Sequence, residues 1–247
     1  MFMAENKKKN PELTAELVKS SGLRHIAFIM DGNGRWAKRR AMPRKAGHSA
    51  GAKTFKKVVR YCGDVGINIV TVYAFSTENW SRPKDEVNAI MALLDEYIKG
   101  AKDSDEENHI KYVFLGDKAA LGNELSAKCS ELEELTKDNP RTLNIALNYG
   151  GRAEIVHAVN TLISEGKKEI TEQDISEKVY TAHCPDPDLI VRTAGEQRTS
   201  NFLMWQSAYS EYYFTDVFWP DFDEREVDRA VEEFSKRGRR FGGVTNV

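Results

Sequence analysis

A carboxylate, Asp31, is followed by two glycines and a run of cations. It comes directly after six largely apolar residues, His25–Met30, which the pattern predicts to be a buried strand. Gly32 and Gly34 lack the Cβ atoms that would hold backbone N–H groups away from a ligand, and Arg35 offers a planar guanidinium to phosphate oxygens. Asp31 would repel an anion bound there unless a cation lay between them. These residues predict a diphosphate-binding loop in which Asp31 shares Mg²⁺ with the ligand. The alternative is an ordinary turn before a solvated basic helix.

The basic residues are concentrated in one part of the chain. Residues 32–63 contain ten Lys and Arg and no Asp or Glu, so the rest carries 26 cations against 38 acids, a formal charge of −12. An acidic remainder would repel a long polyanion everywhere except at this segment. A small, highly charged anion therefore fits better than nucleic acid. A nucleic-acid-binding module that uses the basic segment is the alternative to an enzyme.

Length and composition favour one domain. The chain has 247 residues with 40% hydrophobic content, and no Pro/Gly/Ser-rich linker divides it. Cys62, Cys129 and Cys184 are too widely spaced to suggest a metal site or a disulfide framework, which indicates a reducing compartment. No apolar run approaches the roughly 18 residues of a membrane span, and the first twenty residues are polar. We expect a cytoplasmic protein, with peripheral association at the membrane surface as a further option.

Short apolar runs alternate with amphipathic stretches, a pattern typical of βαβ units. The predicted strands are His25–Met30, Ile67–Phe75, Ile110–Leu115, Leu143–Tyr149, Leu189–Thr193 and Glu211–Phe214. The predicted helices are Ser49–Tyr61, Lys84–Lys102, Lys118–Lys137, Ala153–Glu165, Thr171–Thr181 and Glu224–Arg237. The pattern predicts an α/β fold with a single domain, residues 23–243, and a mostly parallel six-stranded sheet covered by helices on both faces. Residues 1–22 are interpreted as a polar extension and residues 244–247 as a tail.

Each remaining polar cluster comes directly after a predicted strand, where ligands bind in such sheets. The clusters are Tyr73–Pro83, Asn148–Arg152 and Arg192–Asn201. In the last of them Arg192 and Arg198 stand close to the hydroxyls of Thr199 and Ser200, which predicts a second site for a diphosphate. Two anion sites at one sheet edge indicate two phosphorylated substrates.

Six motifs together resemble those of bacterial cis-prenyltransferases of the undecaprenyl diphosphate synthase type. They are Asp31–Ala37, Ala46–His48, Tyr73–Pro83, Leu143–Arg152, Arg192–Arg198 and Trp219–Phe222. The resemblance implies a Mg²⁺-dependent homodimer that condenses isopentenyl diphosphate in cis onto farnesyl diphosphate. The implied product is a long polyprenyl diphosphate that partitions into the membrane, undecaprenyl diphosphate, a lipid carrier precursor for peptidoglycan of the cell wall. The Asp-Asp-x-x-Asp motif of trans-prenyltransferases is absent from the sequence. A non-catalytic partner subunit is a second alternative.

The resemblance also implies roles by position. Asp31 would engage Mg²⁺ together with Glu211, and Asn79 is the usual nominee for proton acceptor, although an amide is a very weak base. Many relatives carry His where Gln197 stands, and a neutral amide does not ligate a metal as imidazole does. The implied substrate-binding residues are Gly32, Asn33, Gly34, Arg35, Trp36, Arg44, His48, Ser76, Thr77, Glu78, Trp80, Arg82, Arg192, Arg198, Ser200 and Arg240, to which the loop chemistry adds Thr199. Of these, Arg240 would reach the partner subunit's site. Ala74, Leu143, Ile145 and Leu147 are candidates to line a hydrocarbon tunnel.

Overall fold

The computed structural model describes residues 10–237, with no side chains described for residues 103–108. Six strands form one sheet: β1 (His25–Ile29), β2 (Ile69–Ser76), β3 (Ile110–Leu115), β4 (Arg141–Tyr149), β5 (Leu189–Arg192) and β6 (Glu211–Phe214). Their order is β3-β4-β2-β1-β5-β6, and every neighbouring pair is parallel. The predicted sheet is confirmed, and β1 lies near its centre.

The described residues form eight α-helices and four short 3₁₀ turns. The helices are α1 (Pro11–Ser21), α2 (Asn33–Arg39), α3 (Arg44–Asp64), α4 (Lys84–Asn108), α5 (Asn123–Thr136), α6 (Gly151–Ser164), α7 (Glu172–Ser176) and α8 (Glu224–Ser235). The larger core joins one face of the sheet to residues of α1, α3, α4, α5 and α8. On the other face a smaller core contains Tyr149 and Phe202, and α6 reaches it where His157 stacks on Tyr180. Helices thus cover both faces, as predicted. No helix within residues 10–237 combines the length and apolar character that a membrane span needs.

Two helices are absent from the sequence prediction. In α1 the side chain of Asn10 accepts a hydrogen bond from Leu13 N, and Gly22 ends the helix in the left-handed conformation, so part of the supposed extension is ordered. Thr14 Oγ1 donates to Asp228 Oδ1 at 2.7 Å, which fastens α1 to α8. The second helix, α2, begins at Asn33, so the predicted loop is a single turn followed by a helix.

Helix boundaries also differ from the prediction, and α4 extends to Asn108, six residues beyond its predicted end. Helix α3 begins at Arg44, five residues before the predicted start. Gly122, with φ of +84°, separates a 3₁₀ turn from α5, so the predicted helix Lys118–Lys137 is broken. Helix α7 ends at Ser176 and turns follow, whereas the prediction extended it to Thr181.

Candidate active site

A cavity of about 720 Å³ opens at the carboxyl edge of the sheet. The predicted site residues that line it are Asp31, Asn33, His48, Ser76, Glu78, Asn79, Arg82, Arg192, Arg198 and Ser200. They come from the ends of β1, β2 and β5 and from α2 and α3, which lie far apart in sequence. The parallel sheet brings these residues together because the carboxyl ends of its strands meet at one edge.

Asp31 lies between the two predicted anion-binding groups. Its Oδ1 is 3.3 Å from Arg35 Nη2, and its Oδ2 accepts a hydrogen bond from Arg192 Nη2 at 3.0 Å. Its backbone carbonyl accepts from Thr193 Oγ1 at 2.7 Å and from Trp219 N at 3.0 Å. The carboxylate is therefore held in place by β5 and by the segment after β6. One arginine of each anion site contacts it.

Arg192 is the most buried of the cations at the site, with 4% of its surface exposed. Its Nη1 donates to Ser200 Oγ at 2.8 Å and also to the carbonyl of Arg198. Arg198 pairs with Glu196, whose other oxygen lies 3.2 Å from Arg35 Nη1. Glu196 thus links the two anion-binding groups on the solvent side, a role that the sequence did not single out.

The segment after β2 forms a turn that fixes its own side chains. Ser76 N donates to Asn79 Oδ1 at 3.1 Å, so the Asn79 amide is engaged in a capping box. Glu78 Oε1 accepts from Asn201 Nδ2 at 3.0 Å. Burial by itself would raise the pKa of Glu78, but the hydrogen bond from Asn201 and others outweigh it and lower that pKa. Trp80 donates its indole N–H to Asn148 Oδ1 at 2.8 Å.

Glu86, which the sequence analysis missed, gathers three predicted substrate-binding residues. Its Oε1 accepts from Arg82 Nη1 at 2.9 Å and lies 3.2 Å from His48 Nε2, while its Oε2 is 3.1 Å from Arg44 Nη1. Its side chain is only 7% exposed. Burial lowers the pKa of His48, and the bond to Glu86 opposes that effect. The one sequence signal was the i,i+4 spacing of Arg82 and Glu86.

The inner wall of the cavity is apolar and lies between the sheet, α3 and α4. The residues that form it include Phe55, Val72, Ala74, Ile90, Leu93, Leu94, Tyr97, Ile145 and Leu147. Ala74, Ile145 and Leu147 thus have the position predicted for tunnel residues, whereas Leu143 is not among the lining residues. Phe55 of α3 and Tyr97 of α4 contact each other, with ring centroids 4.9 Å apart. A polar mouth and an apolar interior suit a ligand with an anionic head and a hydrocarbon tail.

Packing restricts Gly32 and Gly34 in addition to the predicted role in ligand approach, which stays a prediction. Gly32 has φ of +104°, and a Cβ there would come within 2.8 Å of Phe218 Cδ1. A Cβ on Gly34 would come within 2.6 Å of Arg44 Nε. The positive φ and the contact with Phe218 therefore require glycine at position 32, whereas at position 34 a Cβ would have to displace the Arg44 side chain.

Several predicted residues adjoin the cavity without lining it. They are Gly32, Gly34, Arg35, Trp36, Arg44, Thr77, Trp80 and Thr199. Trp36 donates its indole N–H to Asp221 Oδ1 at 2.6 Å, and the guanidinium of Arg40 lies 4.1 Å from its ring centroid. Asp221 thus holds the Trp36 indole outside the cavity lining, and the substrate-binding role of Trp36 stays a prediction. Arg240 lies outside the described residues.

Glu211 does not approach Asp31 within one chain. It pairs with Leu189 at the amino end of β6, and Leu189 in turn pairs with Ile26 of β1. Ile26 precedes Asp31 by five residues, or about 16 Å along a strand. The Oε2 of Glu211 is 2.7 Å from Arg237 Nη1. Within one chain Asp31 and Glu211 therefore do not share a metal, and the metal role of Glu211 stays a prediction for the homodimer.

The oxygen donors at the cavity fit a Mg²⁺ ion held jointly with a ligand. Among the described residues no group of three or more His, Cys, Asp or Glu could hold a metal alone. Asp31, with a side chain 31% exposed, lines the cavity beside Asn33, whose buried Oδ1 has no hydrogen-bond partner in the described structure. Mg²⁺ commonly takes one or two carboxylates together with substrate phosphates and water. A diphosphate would complete such a set.

Known proteins are similar to this chain in sequence and in fold. The prenyltransferase family model described as undecaprenyl diphosphate synthase matches residues 29–242. An isoprenyl transferase of Fusobacterium nucleatum is 55% identical over 225 residues, which cover 91% of this chain and 97% of that protein.

Two solved structures are also similar. Lavandulyl diphosphate synthase from Lavandula x intermedia, in complex with dimethylallyl diphosphate, aligns with a TM-score of 0.85 and 32% identity, covering 91% of this chain and 100% of that one. A "probable undecaprenyl diphosphate synthase" from Campylobacter jejuni gives a TM-score of 0.77 and 35% identity, with 90% of this chain and 99% of that one covered.

Proposed function

The chain belongs to the undecaprenyl diphosphate synthase family and is a cis-prenyltransferase, and we propose that it condenses isopentenyl diphosphate units onto farnesyl diphosphate. The observation that carries this proposal is the Asp31 carboxylate between Arg35 and Arg192, at the mouth of an apolar cavity. Two cationic groups suit two diphosphates, and the apolar wall suits the growing hydrocarbon. The proposed product is undecaprenyl diphosphate, a lipid carrier precursor for cell-wall synthesis.

The first half of the site would bind the allylic substrate. Arg35, Arg44 and His48 would hold its diphosphate, and Glu86 keeps Arg44 and His48 in position. When the allylic C–O bond breaks, negative charge builds on the departing diphosphate. Fixed cations stabilise that charge without reorganising during the reaction. Mg²⁺, when held by Asp31 and the diphosphate, would supply further charge stabilisation.

The second half would bind isopentenyl diphosphate. Arg192, Arg198 and Ser200 would hold its diphosphate and aim its double bond at the allylic carbon. A new C–C bond then forms, and one proton leaves the extended chain. Because Asn79 is an amide already engaged with Ser76 N, we assign it an orienting role. A diphosphate oxygen would accept the proton.

The remaining proposals concern the setting of the reaction. We propose a cytoplasmic homodimer whose product partitions into the membrane, with the Arg240 segment reaching the partner subunit's site. The presence of Asp31, Arg192 and Arg198 in one cluster argues against a non-catalytic partner subunit. A cavity with an apolar interior argues against a nucleic-acid-binding module.

The decisive experiment measures diphosphate release from farnesyl and isopentenyl diphosphates, with the product length determined by mass spectrometry. Asp31→Ala should lower turnover by about 1000-fold because it removes the carboxylate between the two diphosphates. Farnesyl diphosphate binding and folding should change little. The control is Asp138→Ala, which removes an exposed carboxylate from the turn after α5. Near-normal turnover of Asp31→Ala at saturating Mg²⁺ would contradict the assignment.

A further inference from the structure

From Arg44 to Arg60, every exposed residue of α3 is a cation. Its exposed basic residues, apart from Arg44, are Lys45, Lys53, Lys56, Lys57 and Arg60. At about 100° per residue they fall within an arc of about 120°, and they extend for roughly 22 Å along the helix. The same arc contains Ser49 and, at the C-terminal end of the helix, Asp64. We call the five basic residues the α3 cationic face.

Asp64 is the one acidic residue on this face, against five cations. Lys53, Lys56, Lys57 and Arg60 stand three or four residues apart, a spacing at which like charges repel. Among residues whose side chains the structure describes, Lys45, Lys53, Lys57 and Arg60 form no ion pair, and Lys56 lies over the ring of Tyr97 at 5.5 Å.

Several lysines elsewhere have acidic partners, among them three that follow the ends of α5, α7 and α8. Lys137 lies within reach of Glu134, Lys178 is 2.6 Å from Glu165, and Lys236 is 2.8 Å from Glu233. The α3 cationic face therefore has its charge available for a partner outside the chain.

The other side of the same helix lines the active-site cavity. His48, Gly51, Ala52 and Phe55 face that cavity, and Arg44 turns the same way to reach Glu86. Any hydrocarbon in the cavity thus lies between α3 and α4, one helix diameter from the α3 cationic face. Met42, at 47% exposure, stands just before the helix and adds an apolar side chain beside the cations.

We propose that the α3 cationic face docks the protein on the surface of a bilayer that contains anionic phospholipids. This inference rests on the proposed function, because a polyprenyl diphosphate must pass from the cavity into a membrane. A bilayer also fits the charge distribution: the chain outside residues 32–63 has a formal charge of −12. A flat surface engages one face and avoids the rest, whereas a long nucleic acid would meet repulsion beyond the segment.

Vesicle flotation of the full chain without substrates tests the docking. The vesicles contain phosphatidylcholine alone or mixed with phosphatidylglycerol. Binding should require phosphatidylglycerol and should weaken as salt is added. The triple variant Lys53→Gln, Lys57→Gln, Arg60→Gln should bind about 100-fold more weakly, at roughly fivefold for each cation lost.

The matched control is Lys137→Gln, Lys178→Gln, Lys236→Gln, which removes the same net charge from paired lysines. Its affinity should fall by less than about fivefold. Equal losses in the two triple variants would overturn the proposal, as would equal binding to neutral vesicles. Tighter binding to an RNA oligonucleotide than to anionic vesicles at the same salt would also overturn it.

Diphosphate release in detergent separates this proposal from the proposed function. The α3 triple variant should keep wild-type turnover on soluble substrates, because none of its three residues lines the cavity. Normal turnover of the wild-type chain without binding of that chain to anionic vesicles would reject the docking alone. Vesicle binding without any turnover of the wild-type chain would reject the proposed function alone.

Discussion

Glu86 decides the position of three cationic or titratable side chains. Arg44 and His48 come from α3, Arg82 comes from the turn after β2, and the Glu86 carboxylate contacts all three. Arginine and histidine side chains at a diphosphate site would otherwise repel one another and lose rotamer order. A buried carboxylate that fixes them before the ligand arrives lowers the entropic cost of binding. Glu86 is thus a positioning residue in this site.

Glu86→Gln should mainly weaken allylic substrate binding. The amide keeps the size of the side chain but removes the charge that holds Arg44, at a cost of roughly 1.5–3 kcal/mol for a charge-assisted contact. We expect the KM for farnesyl diphosphate to rise at least tenfold and kcat to change much less.

A second measurement separates positioning from loss of folding. Since the Glu86 carboxylate raises the pKa of His48 against the effect of burial, removing it should shift the pH profile of kcat/KM to lower pH. Glu86→Asp should recover part of the binding. Glu96→Gln, on the exposed side of α4, is the control. An unchanged KM in Glu86→Gln would reject the positioning role.

Substitutions in the two arginine groups should affect the KM of different substrates. Arg35→Ala or Arg44→Ala should raise the KM for farnesyl diphosphate, while Arg192→Ala or Arg198→Ala should raise the KM for isopentenyl diphosphate. Each change should cost roughly 1.5–3 kcal/mol, since each removes a charge-assisted contact. Steady-state kinetics with each substrate varied in turn measures the split. If both pairs affected both substrates equally, the two sites would have to be one.

At the scale of elements, α1 belongs to the packed structure. Asp228 of α8 accepts hydrogen bonds from Thr14 Oγ1, from Asn10 N at 3.2 Å and from the hydroxyl of Tyr61. One carboxylate therefore joins α1, α3 and α8. Val18 of α1 adds an apolar contact because it is buried in the larger core.

Thr14→Val should lower the free energy of unfolding by about 1 kcal/mol, because it removes a partly buried hydrogen bond and conserves shape. Urea unfolding followed by circular dichroism measures this change. Turnover should be unaffected, since neither Thr14 nor Asp228 lines the cavity. Ser20→Ala, at an exposed position of the same helix, should stay within about 0.5 kcal/mol of the wild type. Equal losses in the two variants would contradict the role of the Asp228 contact.

At the scale of the whole molecule, a buried histidine joins the centre of the sheet. His25 is fully buried; its Nδ1 donates to the carbonyl of Pro185 at 2.7 Å, and its Nε2 is 2.7 Å from Thr71 Oγ1. Asn144 donates to the same hydroxyl at 2.9 Å. These contacts link β1, β2 and β4. Burial lowers the pKa of His25 from 6.5 to about 4, so the folded protein holds the imidazole neutral.

Stability should therefore fall in acid. Between about pH 6.5 and pH 4 the unfolded chain binds a proton at His25 that the folded chain does not. The stability that depends on neutral His25 is fully present above pH 6.5. As the pH falls, the free energy of unfolding decreases by up to about 3 kcal/mol. Denaturant unfolding at pH 7, 5 and 4 measures it. His25→Gln should flatten the dependence relative to the exposed control His109→Gln. If both variants showed the same pH dependence of the free energy of unfolding, His25 would not be its cause.

The sequence by itself determined the class of fold and the place of the chemistry. Apolar strand runs, intervening amphipathic helices and polar clusters after the strands are local patterns that predict a parallel α/β sheet. Because such sheets bind ligands at the carboxyl ends of their strands, the clusters also predict where the site lies. Helix α2 was only the alternative to a loop in the sequence analysis because Gly34 is a poor helix former, and close packing on α3 stabilises the helix despite it. Helix α1 had capping signals at Asn10 and Gly22, but its composition suggested a solvated extension.

Only the tertiary structure decided which side chains pair. Asp31 meets Arg192 across 161 residues, and Trp36 meets Asp221 across 185. Glu86 likewise contacts Arg44 from a different helix. Glu211 lies at the amino end of β6, so the direction of that strand separates it from Asp31. Residue types and spacing indicate what a side chain can bind. The partner it actually contacts depends on the register of distant strands and the packing of helices against them, which no local pattern contains.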